Sequence, residues 1–163
     1  MTAEVGVAAV GSALMSSVVF YGAALKGSLL VFWMVYLATL CVGITMAYTI
    51  AALSPNMDVA NAALPTYVAT LTFVSGFIIR FDNIPVWWRW YSRVNPLAYA
   101  FTALMANQFS SHDPHFIGGK TLLEYFSMAG QSIWFNVGIV WAFFALLLAC
   151  AWLVLATRRY SRR

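Results

Sequence analysis

Charge is what this sequence has least of. Only 9% of its 163 residues are Asp, Glu, Lys or Arg, and 63% are hydrophobic, whereas an ordinary soluble domain carries roughly 25% charge. A chain so composed cannot cover itself with polar surface in water. No charged residue at all occurs in residues 5–25, 27–57, 59–79 or 125–157. Secondary transporters and proton relays keep ionisable groups inside their spans to bind and release a coupling ion. The empty windows therefore argue against ion-coupled transport and against a carboxylate-lined cation channel. They hold no nucleophile–base pair or carboxylate dyad either, which sets aside enzyme chemistry within the membrane.

Other absences narrow the field further. The two cysteines, Cys41 and Cys150, both lie in apolar windows, where a small apolar role is commoner than a reactive thiol. No Asn-x-Ser/Thr acceptor exists, so N-glycosylation is not expected. Met1-Thr2-Ala3-Glu4 lacks a basic leader and the apolar run behind it is long, so a cleaved signal peptide is not expected. A start this abrupt equally suits a chain cut from something longer. His112, Asp113 and His115 sit close together on a polar stretch, yet ligation also demands supporting groups behind the ligands. They are taken as solvated residues, with no metal site. Gly118-Gly119-Lys120-Thr121 imitates the end of a phosphate-binding loop, but G-x-x-x-x-G-K-S/T needs glycine where this chain has Pro114, and the preceding buried strand is missing.

What is present is apolar length. A helix needs about 20 predominantly apolar residues to cross the hydrocarbon core, and four windows provide it. The expected fold is all-α and integral to the membrane, with spans at about 5–25, 29–53, 59–79 and 133–156. The connections at 24–28 and 54–58 allow only tight turns, the second marked by Ser54-Pro55-Asn56. Four arginines, Arg158, Arg159, Arg162 and Arg163, follow the last span. The positive-inside rule then places the C-terminus, residues 157–163, in the cytoplasm. Arg80, Arg89 and Arg93, close after the third span, vote the other way.

Residues 84–91 concentrate Trp87, Trp88, Trp90 and Tyr91 around Arg89. Aromatic rings with a polar edge settle at the membrane–water boundary, and arginine can snorkel to the same depth. The segment reads as interfacial. Residues 96–109 then form a helix too short to span, of the re-entrant or interfacial kind. Irregular backbone between them is tolerable only where protein buries it or water reaches it, so residues 81–132 are expected to form a structured outer cap. On the third span, Ala69, Thr72, Phe73 and Gly76 recur at helical spacing. They mix small, polar and aromatic groups suited to an adaptable substrate path, although ordinary helix–helix packing concentrates the same types.

Several motifs in order carry a resemblance. Ser75-Gly76-Phe77-Ile78-Ile79 is followed by Ile84-Pro85-Val86-Trp87-Trp88-Arg89-Trp90-Tyr91, then Pro96, Tyr99 and Asn107-Gln108-Phe109, with Ala51-Ala52-Leu53-Ser54-Pro55-Asn56 upstream. This resembles the C-terminal part of the transmembrane domain in the G subfamily of ABC transporters, most of all the pleiotropic-drug-resistance type. The resemblance implies an ABC-2 exporter domain of which the four spans are the third to sixth helices. It implies partners: a nucleotide-binding domain carrying ATP and Mg, and a second transmembrane domain, with the lipid bilayer around them and a hydrophobic or amphipathic substrate such as a lipid or drug. It also implies a plasma-membrane location and no nucleic acid partner. Phe77 and Ile78 match the position of a hydrophobic plug below the cap in some relatives, and the loop disulfides of some animal relatives have no cysteines here.

This chain departs from the family in lacking its first two helices and the coupling loop that meets the ATPase. By itself it is therefore expected to be no enzyme and to bind no cofactor. The competing expectation is a truncated or accessory membrane subunit that packs with transporters without transporting.

Overall fold

The computed structural model describes residues 2–109 and 120–157. The regular structure in them is helical. Seven α-helices follow one another: α1 (Thr2–Gly22), α2 (Leu29–Leu53), α3 (Met57–Phe73), α4 (Arg89–Arg93), α5 (Pro96–Phe109), α6 (Leu122–Tyr125) and α7 (Ile133–Thr157), with single 3-10 turns at Phe81–Asn83 and Val86–Trp88. The metal reading at His112, Asp113 and His115, the glycines Gly118 and Gly119, and the tail arginines lie outside the described residues.

Helix is the form these stretches must take away from water, because it satisfies every backbone donor and acceptor within the segment. The hydroxyls follow the same rule. Thr39 bonds the Val35 carbonyl at 2.8 Å, Thr45 the Cys41 carbonyl at 2.9 Å and Thr49 the Thr45 carbonyl at 2.8 Å. Each spends its one proton on its own helix, so α2 stays apolar to its surroundings despite three threonines.

Length is where the expected spans and the observed helices part. α2 and α7 are each long and apolar enough to cross a bilayer. The apolar part of α1, Gly6–Gly22, is shorter, and α3 has 17 residues, about 25 Å at 1.5 Å per residue. By length and composition two helices among the described residues qualify, not four.

α1 stops at Gly22 rather than at residue 25 because Ala24 turns left-handed, with φ 49°. The Leu25 amide then reaches back to the Phe20 carbonyl at 3.0 Å and the Ala24 amide to Tyr21 at 3.2 Å, the paired bonds of a Schellman cap. α3 stops at Phe73 rather than continuing to residue 79. Its last carbonyls are claimed by side chains from further along the chain: Asn95 donates to the Leu71 carbonyl at 2.6 Å and Ser92 to the Val74 carbonyl at 3.1 Å. Gly76 then takes a left-handed φ of 88° and reverses the path.

The core lies between α2, α5 and α7. Val31, Val35, Ala38, Val42 and Met46 of α2 recur at three- and four-residue steps and meet Ala100 and Ala103 of α5 and Val137 and Val140 of α7. The alanines let the backbones approach closely, the usual contact between helices in lipid. α1 joins α2 through small residues: Ser12 and Ser16 are buried, and Trp33 donates its ring N–H to the Ser12 hydroxyl at 3.1 Å. Phe20 sits edge-on against Phe32 with centroids 5.9 Å apart.

Two asparagines lock the connections. Asn95, with no exposed surface, donates to Leu71 of α3 while its Oδ1 accepts from the Leu97 amide at 2.9 Å. It ends one helix and caps the next, and Pro96 occupies the first position of α5, where a missing N–H costs nothing. Asn107, near the other end of α5, grips the α1–α2 turn by both backbone groups of Ser28, accepting from its N–H at 3.0 Å and donating to its carbonyl at 3.1 Å. Gln108 accepts the Lys26 amide at 3.0 Å. Gly27 must be glycine there, since a Cβ would fall 2.4 Å from the Asn107 Nδ2 and 2.5 Å from its carbonyl oxygen.

Candidate functional site

α3 is the helix the body leaves uncovered. It buries only Ala60 near its start and Leu71 near its end, and Pro65 lies inside it, where its ring cannot donate to the Asn61 carbonyl. Val59, Ala62, Ala63, Thr66, Tyr67 and Thr70 line a shallow groove of about 620 Å³ along one face. The threonine hydroxyls in and beside that groove are already committed as donors. Thr66 bonds the Ala62 carbonyl at 2.8 Å, Thr70 the Tyr67 carbonyl at 2.7 Å and Thr72 the Val68 carbonyl at 2.8 Å. A hydroxyl has one proton to give, so these threonines can accept hydrogen bonds from a ligand but not donate them, and the Tyr67 phenol is the donor that the groove offers.

The residues singled out from helical spacing do not form one lining. Ala69 and Phe73 are exposed and Thr72 half-exposed. Gly76 lies past the end of α3, buried beneath the Phe81 ring, whose Cζ would stand 2.6 Å from an added Cβ. The helical period that grouped it with Ala69 and Phe73 ends three residues earlier, so its place is a turn rather than a helix face. Of the four, Phe73 alone lines a cleft described here, shared with Thr70, Val74, Ile79, Ile84, Pro85 and Trp88 and measuring about 320 Å³. Ala69, Thr72 and Gly76 line neither the groove nor this cleft.

Phe77 and Ile78 follow the Gly76 turn and stand 63% and 52% exposed. Phe77 is held from one side, edge-on to Phe101 of α5 at 5.5 Å, and Phe101 in turn meets Phe126 at 6.3 Å. The aromatic chain ties the turn to the segment before α7. Arg80 lies over the Tyr125 ring at 4.5 Å and Ser127 bonds the Asp82 carboxylate. α6 itself is one turn with a cap at each end. Thr121 and Glu124 form a reciprocal capping box, and Ser127 turns left-handed at φ 60° so that the Met128 amide reaches Leu123 at 2.8 Å. Thr121, the last letter of the phosphate-loop imitation, is thus a helix cap.

Trp87, Trp88 and Trp90 are all exposed, and with Tyr91 they make a run of tilted and edge-on contacts: Trp87 to Trp88 at 6.1 Å, Trp88 to Tyr91 at 5.7 Å and Trp90 to Tyr91 at 5.7 Å. Arg89 begins α4 and directs its Nε to the Ile84 carbonyl at 3.4 Å. Tyr91 pairs with Thr70 at 3.0 Å. Since the Thr70 proton is given to Tyr67, Tyr91 is the donor, and the bond joins the aromatic segment to α3.

Sequence reasoning missed Asn95 and Ser92, which build one junction, the groove residues Thr66, Tyr67 and Thr70, and the part Asn107 plays at the other junction, although Asn107 stands in the motifs named above. Asn95-Pro96 was legible as a cap followed by a first-turn proline. No local pattern announces that the same asparagine also ends α3.

A helical membrane domain with an exposed aromatic-rich segment tied to α3 by the Tyr91–Thr70 bond is the class that this geometry defines. The chain belongs to the ABC-2 type transporter family, whose family model matches residues 1–109. It is 30% identical to ABC transporter G family member 46 of Oryza sativa subsp. japonica over 91 residues, 56% of this chain and 6% of that protein. It is 34% identical to pleiotropic drug resistance protein 1 of Nicotiana tabacum over 74 residues, 45% of this chain and 5% of that one. Against ABC transporter ATP-binding protein/permease wht-1 of Caenorhabditis elegans the identity is 27% over 136 residues, 74% and 20% of the two lengths. The chain thus spans no more than a small part of the relatives it matches. It is a G-subfamily ABC-2 membrane domain.

Proposed function

We propose that this chain is part of the translocation pathway of an ATP-driven exporter of hydrophobic or amphipathic compounds, lipids and drugs among them. The observation that carries the reading is α3: an apolar helix with threonines and a groove, held at its ends and left uncovered along its length. In this reading a second transmembrane domain faces it, and the groove, together with Ala69, Thr72 and Phe73, borders the substrate path. ATP hydrolysis comes from a nucleotide-binding domain, a reading supported by the relative named as an ATP-binding protein/permease, and this stretch of chain is not itself the ATPase.

The same reading has α1, α2, α3 and α7 all crossing the plasma membrane, because 17 residues reach the lower limit of a span. Residues 81–132 lie outside and the C-terminus in the cytoplasm. Phe77 and Ile78 project from the outer turn as a plug, and the tryptophans mark the outer interface. The accepting, non-donating threonines favour substrates that carry a donor on an apolar frame.

The test uses the complete transporter containing this segment. Ala62→Phe fills the groove and is expected to abolish substrate stimulation of ATPase activity while basal turnover persists. Unchanged stimulation and transport would remove the groove from the path. Phe77→Ala with Ile78→Ala is expected to raise basal, uncoupled ATPase turnover, and unchanged basal turnover and transport would sink the plug.

A further inference from the structure

The cleft between α3 and the tryptophan segment has a composition of its own. Thr70, Phe73 and Val74 of α3 face Ile84, Pro85 and Trp88, so its wall is hydrocarbon and aromatic ring. Its one hydroxyl, on Thr70, gives its proton to Tyr67 and faces the Tyr91 hydroxyl. Beyond the Thr70 oxygen and the Trp88 ring N–H, the lining residues offer no side-chain polar group. At about 320 Å³ it stands at the small end of ligand sites, roughly 300–1,000 Å³, which suits a single flexible chain.

At its edge sits a charge. Arg89 follows Trp88 directly, and its Nε is tied to the carbonyl of Ile84, a residue of the cleft wall. Its two terminal nitrogens meet no acceptor among the described residues. Arg89 is exposed, and a guanidinium at headgroup depth can hold a phosphate with two parallel bonds. Tryptophans around it belong at headgroup depth.

We propose that this cleft and Arg89 form a phospholipid site, one acyl chain occupying the cleft and the phosphodiester resting on the terminal nitrogens of Arg89. The site is a property of the membrane-embedded fold and does not depend on export. A resident lipid here would brace the last turn of α3 against the aromatic segment, doing with a chain what Tyr91 does with a hydrogen bond.

The test reconstitutes the full chain in nanodiscs of dioleoylphosphatidylcholine doped with one of two photoreactive probes. One is a phosphatidylcholine with a diazirine in its acyl chain; the other is the matching diacylglycerol, which lacks the phosphate. Mass spectrometry should find labels on Phe73, Val74, Ile84 and Trp88, with phosphatidylcholine favoured about ten-fold, the worth of one charge-assisted contact. Arg89→Gln should bring that ratio to about one, while Arg93→Gln, which alters a guanidinium outside the cleft, should keep it. Equal labelling of the wild-type cleft by the two probes overturns the phosphate contact without needing any variant. Labels absent from the cleft overturn the site altogether. An equal loss in both arginine variants would show general surface charge rather than a site.

Discussion

α2 and α3 are both apolar helices joined by a turn, yet they have opposite fates in the structure. α2 buries a stripe from Val31 to Ala52, chiefly against α1, α5 and α7, and α3 buries two residues. Composition separates them in part, since α3 carries Asp58, Asn61 and Pro65 where α2 has no charge, asparagine or proline; neighbours do the rest. α2 carries alanine, cysteine and valine where α5 and α7 approach, and α3 is anchored mainly near its end, where Leu71 joins the core, Tyr91 bonds Thr70, and Asn95 and Ser92 take its terminal carbonyls. The difference teaches that the body of the domain is self-sufficient, while α3 is presented by it.

That contrast can be broken at several points. The largest effect is expected from Asn95→Ala, which strands the Leu71 carbonyl and the Leu97 amide together. Each buried orphan costs about 1–3 kcal/mol, so a loss of about 3 kcal/mol should appear in denaturant unfolding of the detergent-solubilised chain. A loss below about 0.5 kcal/mol would mean that α3 is not held there. Overpacking comes next. Ala103→Leu, in the fully buried contact of α5, should cost about 2 kcal/mol, whereas Ala69→Leu on the open face of α3 should stay within about 0.5 kcal/mol. Equal costs would show that α3 is as packed as the body.

Smaller effects sharpen the picture at the α1–α2 turn. Asn107→Ala and Gly27→Ala are each expected to cost about 1–2 kcal/mol, because both undo the same grip on Ser28. Their double variant should fall short of the sum, and full additivity would place them in separate interactions. A further small effect has the opposite sign. Ala24 holds a left-handed conformation that an L-residue adopts at a cost of roughly 1–2 kcal/mol, partly offset by the greater freedom of glycine when unfolded. Ala24→Gly should therefore raise stability by about 0.5–1 kcal/mol, read as a higher unfolding midpoint.

Much of the fold was legible before any coordinates. α2 occupies the expected residues, α5 runs from Pro96 to Phe109 as expected, and α7 exceeds its expected range by one residue. These helices are announced locally, by apolar runs with capping or turn residues at their ends. The family was legible too, in the ordered motifs between residues 51 and 109. The site was less so. Spacing grouped Gly76 with Phe73 on a helix that ends before it, and it passed over Thr66, Tyr67 and Thr70, whose groove depends on which face the body leaves open.

By itself, then, the sequence determined that this chain is helical and built for lipid, because over such apolar, charge-free lengths a helix is the form that satisfies the backbone's polar groups within the segment itself. Where α3 ends, which of its faces is open, and that Asn107 serves the turn at Ser28 were decided only by the tertiary structure. Those outcomes rest on hydrogen bonds between residues 18 to 79 positions apart, a distance across which no local pattern of polarity carries information.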